Sequence, residues 1–184
     1  MYEEVQRKRL HRYDTPGDAH ALNFLCHDRR PYLQDRAACE CFLNELEKAR
    51  SIYNFALWAY VLMSTHVHLL LWPRERKYSM ARISSGIKGI MSKRYRALLL
   101  GSGDPRHDRF LVGAGPKAQF TFWQPGGGYD RNLRDAKGVA AMLHYIERNP
   151  VKAGLVNSPE EWPWSSAHAR AHGKGVVPDP VMAW

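Results

Sequence analysis

The chain has 184 residues, 45% of them hydrophobic, and one globular domain with a full core is the simplest reading. A net charge of +9, from 27 Lys and Arg against 18 Asp and Glu, points to a polyanionic partner, nucleic acid before membrane. Cys26, Cys39 and Cys41 are odd in number and make no CxxC pair, which argues against a disulfide framework or a zinc ribbon. Residues Met1 to Arg9 lack the apolar core of a signal peptide, and no uninterrupted run reaches the roughly 18 residues of a membrane span, so a cytoplasmic protein is expected.

Residues 1 to 18, with Arg7, Lys8, Arg9 and Arg12 before Pro16-Gly17, read as a basic arm leading into a domain over 19 to 172. His20 to His27, with Leu22, Phe24 and Cys26 alternating against Asn23, predicts a first strand. Asp35 caps a helix running to about Tyr53, with Ala38, Phe42, Leu46, Ala49 and Tyr53 on its apolar face. Phe55 to Met63 and His66 to Trp72 predict two strands joined at Ser64-Thr65.

A second helix is expected over about Ser79 to Leu100, with Met80, Ile83, Ile87, Ile90, Met91 and Leu98 forming its apolar stripe. Its setting is basic: Arg74, Arg76, Lys77, Arg82, Lys88, Lys93, Arg94 and Arg96 stand against Glu75 alone. A solvated face normally mixes signs, so these eight are candidates for DNA phosphate contacts. Gly101 to Lys117 reads as a long glycine-rich loop, and Phe120 to Trp123 and Tyr129 to Leu133 as strands around Pro125-Gly126-Gly127-Gly128. Asp135 caps a third helix, Ala136 to about Asn149, in which Pro150 is expected to distort the last turn. Trp162-Pro163-Trp164-Ser165-Ser166 reads as an aromatic clamp, and 173 to 184 as a tail.

His66 and His68 lie two apart on a predicted strand, so they project from one face while Val67 looks into the opposite layer. Two neutral imidazoles in one small volume suit a metal, although two strand histidines bonded to neighbours satisfy the same pattern. Tyr145 and Asn149 are four apart on one side of the third helix, at the edge of its apolar stripe.

These residues carry a resemblance. His66-Val67-His68 after an apolar strand, then Tyr145-Ile146-Glu147-Arg148-Asn149-Pro150-Val151-Lys152-Ala153-Gly154-Leu155-Val156, then Trp162-Pro163-Trp164-Ser165-Ser166, resemble the REP-associated tyrosine transposases, single-tyrosine relatives within the HUH endonuclease superfamily. The resemblance covers about residues 13 to 170. It implies an α+β, ferredoxin-like or RRM-like antiparallel sheet with helices packed on one face, in the order β-α-β-β-α-β-β-α. It also implies that His66 and His68 bind a divalent metal, that Tyr145 attacks DNA, and that Asn149 takes the third metal-ligand position of the wider superfamily. Many relatives carry Pro-Asn or Pro-Glu before the first histidine, where this chain has Ser64-Thr65.

The implied reaction cleaves single-stranded or hairpin DNA through a 5′-phosphotyrosine, in DNA transposition or recombination. Imidazole and neutral oxygen donors favour Mn²⁺ or Mg²⁺ with open water positions. The expected partner is single-stranded or hairpin DNA, with the chain as a monomer or a homodimer. The rivals are a domesticated hairpin or single-stranded DNA binder that no longer cleaves, an RRM-type RNA binder, for which no RNP1-like string occurs, and a hydrolase activating water at His66 and His68.

Overall fold

The computed structural model describes residues 13 to 126 and 128 to 182, so most of the basic arm lies outside the described residues. In chain order the elements are β1 (Ala19–Leu25), α1 (Arg36–Ile52), β2 (Phe55–Met63), β3 (His66–Pro73) and α2 (Met80–Gly101). There follow β4 (Leu111–Val112), β5 (Gln119–Phe120), β6 (Tyr129–Leu133), α3 (Ala136–Glu147), α4 (Asn149–Lys152) and α5 (Ser166–His172). Among the described residues no helix is long and apolar enough to cross a membrane.

Four strands form one antiparallel sheet in the order β2-β3-β1-β6. Together with α1 and α2 this is the β-α-β-β-α-β frame of a ferredoxin-like fold, and the α+β antiparallel reading is borne out. The period-2 alternation of β1 and β3 sends Leu22, Phe24, Val67, Leu69 and Leu71 to one face, against Phe42 and Leu46 of α1 and Ile83, Ile87 and Met91 of α2. Each such large apolar side chain contributes about 1.5–3 kcal/mol by leaving water. Two helices thus share a face as expected, but α3 takes the other one. Its Val139 and Ile146 are buried against Ala19, Ala21, Ala56 and Ala59, whose small side chains let a helix lie close to the strands.

The strand expected over Tyr129 to Leu133 forms, while the one expected over Phe120 to Trp123 is broken up, and the two do not pair with each other. β5 pairs with β4 as a separate ribbon, Trp123 makes an isolated bridge to Cys26, and β6 adds to β1 as the sheet edge. Gly128 permits this arrangement. Its φ of +71° lies in the left-handed region, and a Cβ there would sit 2.3 Å from the Asn23 carbonyl oxygen.

The segment after α2 is anchored rather than free-standing. Phe110 joins Tyr32 (4.2 Å between ring centroids), Tyr95 and Phe122, while the Arg106 guanidinium donates to Asp35 at 2.8 Å.

The Trp162 to Ser166 motif straddles the outer edge of β2. The Trp162 indole N–H donates to the Leu62 carbonyl (2.9 Å), and the Leu62 N–H donates to the Trp164 carbonyl (2.9 Å). Trp162 packs on the α3 side of the sheet and Trp164 on the α1 side. The tail continues along the same edge, where the Leu57 N–H donates to the Asp179 carboxylate (2.8 Å) and the Asp179 N–H donates back to the Leu57 carbonyl (2.8 Å).

Candidate active site

The site is built on the α3 face of the sheet. In register, His68 stands between Val61 of β2 and Asn23 of β1, and Asn23 is opposite Tyr129 of β6; His66 is flanked by Met63 and Leu25. Residues directly opposite in an antiparallel pair share a face, so Val61, His68, Asn23 and Tyr129 form one row across the sheet. The turn before His66 is held from outside. The Cys26 N–H donates to the Thr65 carbonyl (2.8 Å) and the Leu33 N–H to the Ser64 carbonyl (3.0 Å), so Ser64-Thr65 is fixed by backbone bonds from outside the hairpin.

The His66 and His68 rings meet edge to face, with centroids 4.9 Å apart. Burial pushes the His68 ring down to about 4, with the neighbouring His66 adding to the shift. His66 is lowered by burial first and by Arg29 second. Both rings are therefore neutral near pH 7, and a neutral imidazole keeps one lone pair for a ligand. Thr65 Oγ1 lies 3.0 Å from His66 Nδ1; when that nitrogen carries the proton, Nε2 is the free donor.

Tyr145 comes from the last turns of α3. Its ring centroid is 5.6 Å from that of His68, edge to face, and the residue is 42% exposed. The helix ends two residues later: Arg148 has φ −84° and ψ 0°, and Asn149 opens α4 with Pro150 in its first turn. This is the distortion expected from Asn149-Pro150. The Asn149 amide nitrogen donates to the Tyr145 carbonyl (3.1 Å), which the break leaves available, and its oxygen is not used in that bond. Ile146, buried beneath, and Glu147, which accepts from Ser166 Oγ (2.8 Å) and from the Arg170 guanidinium, hold the turn on the sheet. Lys152 Nζ lies 4.7 Å above the Tyr145 ring.

The donor set fits a divalent ion. Among the described residues no group of three or more His, Cys, Asp or Glu converges, so the available donors are two imidazoles and amide oxygens. Asn23 Oδ1, in register with His68, is buried with no hydrogen-bond partner, an uncommon state for a native polar atom. Nitrogen, nitrogen and neutral oxygen suit a site that keeps water positions open.

The eight basic candidates lie elsewhere. α2 packs on the opposite face of the sheet from His68, so none of its residues shares a point with Tyr145. Arg74 pairs with Asp179 (3.1 Å), Arg94 approaches Glu45 (3.9 Å), and Lys88 Nζ donates to the Gly126 carbonyl (2.7 Å). Arg76, Lys77, Arg82, Lys93 and Arg96 are exposed.

Sequence reasoning missed Asn23, Tyr129, Arg131 and Lys152 as neighbours of the site. Lys152 was open to view inside the motif that carries Tyr145, whereas the other three are placed only by strand register. Asn23, His68, Tyr129, Arg131 and Tyr145 line a cleft of about 500 Å³ between β1, β6 and α3.

The fold is a ferredoxin-like α+β sheet that carries two neutral imidazoles beneath a tyrosine helix. The particular resemblance follows from comparison with known proteins. No protein-family model matches the chain. A Haemophilus influenzae protein assigned by name to the REP-associated tyrosine transposases is 27% identical over 160 residues, covering 84% of this chain and 82% of that one. The solved structure of a REP-associated tyrosine transposase bound to a REP hairpin superposes with a TM-score of 0.68 at 20% identity, over 96% of this chain and 100% of that one. The likeness to the REP-associated tyrosine transposases, read first from the motifs, thus holds in sequence and in fold.

Proposed function

We propose that the protein is a transposase-like enzyme that binds hairpin or single-stranded DNA and cleaves it with Tyr145 as nucleophile. The single observation that carries this reading is the approach of Tyr145 to His68 within one chain. The named likeness to REP-associated transposases, one of them solved on a REP hairpin, supports the DNA partner.

In the proposed reaction the Tyr145 oxygen attacks the scissile phosphorus, the phenol proton passes to solvent or a nearby base, and the 3′ oxygen leaves. The products are a 5′-phosphotyrosine and a free 3′-OH, and the retained ester bond lets strands rejoin without ATP. Lys152 stations a positive charge beside the group that becomes anionic. His66 and His68, with Asn23 or Asn149 as oxygen donor, would hold Mn²⁺ or Mg²⁺. When bound, the ion supplies charge neutralisation at the phosphate and the leaving oxygen. Because both partners of the ring contact belong to one chain, a monomer suffices to assemble this pair.

Arg82, Lys93 and Arg96 lie on α2, across the sheet from Tyr145, and Arg76 and Lys77 are exposed in the connection that leads to it; in this reading the five hold phosphates of the same DNA remote from the scissile one. Arg74, Lys88 and Arg94 instead serve the fold.

The test incubates the protein with labelled hairpin DNA from the flanks of its own gene, with Mn²⁺ or with chelator, followed by denaturing gels. A protein-linked band that needs metal and disappears in Tyr145→Phe is the expected result. Metal-dependent cleavage surviving in Tyr145→Phe would make water the nucleophile, and binding without cleavage under every metal would leave a non-cleaving hairpin binder.

A further inference from the structure

Attack on phosphorus uses only one end of the 500 Å³ cleft. Beyond His68 and Tyr145 it continues along β6, with Ala141 and Met142 of α3 as an apolar wall. Tyr129 stands at its side, 52% exposed, and Arg131 follows on the same face of the strand, about 7 Å further along. Register fixes Tyr129 opposite Asn23, which is itself opposite His68, so the aromatic ring is two strands from the imidazole and not on a remote surface. Gly128 secures this placement, because only a residue without Cβ allows β6 to start against the Asn23 carbonyl.

An exposed aromatic side chain, an apolar wall and a guanidinium two residues along the strand are the parts that hold one unpaired nucleotide. The ring stacks on the base and the cation takes a phosphate, whereas a base kept in a duplex cannot enter a concave site. The cleft shares Asn23, His68 and Tyr145 with the reacting site, so the base it holds belongs to a nucleotide next to the phosphate under attack. We infer that this cleft is a nucleobase subsite for an unpaired nucleotide flanking the scissile phosphate, with Tyr129 stacking on the base and Arg131 on a neighbouring phosphate. The inference rests on Tyr145 as the nucleophile. It adds a selection rule: strand cleavage requires an unstacked base at one fixed position.

The experiment measures fluorescence anisotropy of labelled hairpins with single-stranded flanks, each carrying one abasic nucleotide, in a Tyr145→Phe background. One abasic position is expected to weaken binding about 5- to 150-fold, the range of a lost aromatic stack. Tyr129→Ala should weaken binding of intact DNA by a similar factor and add nothing at that abasic position, while Tyr129→Phe retains affinity. Arg131→Ala should lower the slope of log affinity against log salt by about 0.7. The subsite is overturned if Tyr129→Ala binds as its parent does, or if the abasic penalty persists undiminished in that variant. Circular dichroism of Tyr129→Ala, an exposed edge position, separates lost stacking from lost folding. Adduct formation by the protein with Tyr145 intact keeps the two readings apart. An adduct with Tyr129-independent binding removes the subsite alone, whereas Tyr129-dependent binding with no adduct keeps the subsite and removes the nucleophile.

Discussion

The two faces of the sheet are covered in different ways. On the α1 and α2 side, aromatic and aliphatic side chains from both helices and three strands close a dry layer around Phe42, Leu46, Tyr60 and Tyr95. On the α3 side a single helix of 12 residues rests on alanines, and where it ends the sheet carries histidines, an asparagine and a cleft. The first face carries most of the apolar burial; the second leaves polar groups half covered, where a ligand can complete them.

Substitutions can break that contrast at points of decreasing energy. Phe42→Ala, which empties a fully buried ring position, is expected to cost about 3–5 kcal/mol in urea unfolding. A comparable loss for His68→Ala in the metal-free protein would mean that the α3 face also carries the fold. Gly128→Ala forces a strained φ and a collision with the Asn23 carbonyl; a loss of about 1–3 kcal/mol is expected, together with weakened β6 pairing in amide exchange. Asp135→Ala removes the cap that accepts the Gly138 N–H at 2.6 Å, at about 1 kcal/mol. Because α3 presents Tyr145, this variant should also slow adduct formation, which no change at the Asp35 cap of α1 should do to the same degree.

The faces also titrate at opposite ends of the pH scale. In the dry layer, burial raises the Cys26 and Cys39 thiols and the Tyr60 phenol to about 12. The unfolded chain releases these protons first, so stability is intact below about pH 8.5 and falls as pH rises towards 12. On the α3 face the lowered His66 and His68 refuse protons that the unfolded chain accepts below about 6.5, so stability falls as pH drops from there towards 4. Denaturation of chelator-treated protein across pH should show His68→Gln flattening the acid arm only and Tyr60→Phe the alkaline arm only; equal effects on both arms would contradict the division. The smallest effect expected is at Lys152→Gln, where losing an exposed cation over a ring, worth about 0.5–1 kcal/mol, should slow adduct formation a few-fold on the gel assay.

Local pattern disclosed the elements whose signals are local. The alternation of β1 and β3, the caps Asp35 and Asp135, and the helix-breaking Asn149-Pro150 all appear where they were expected. In α2 the stripe steps mostly by four, so Tyr95 and Leu99 are buried and Leu98, expected inside, is exposed. The segments on either side of 125 to 128 do not pair with each other because each found a partner distant in sequence, Cys26 for Trp123 and β1 for β6. The same reason governs the site. His66 and His68, like Tyr145 and Asn149, could be proposed together from sequence because a short motif holds each pair, while Asn23, Tyr129 and Arg131 become neighbours only through strand register. The basic residues around α2 were legible as a cluster, but nothing in their spacing tells which face of the sheet the helix covers.

The outer side of β2 is closed along its length. Asp179 occupies Leu57, Ser166 Oγ receives the Tyr60 N–H at 3.1 Å, Ser165 bridges Val61, and the two tryptophans take Leu62. A sheet with an open edge can be extended by any passing strand, and here one of the two edges is sealed by the chain itself. Among the described residues the other edge strand of this sheet is β6, which also carries Tyr129 and Arg131, so a second copy pairing edge to edge there and a DNA strand entering the cleft would compete for the same border of the molecule.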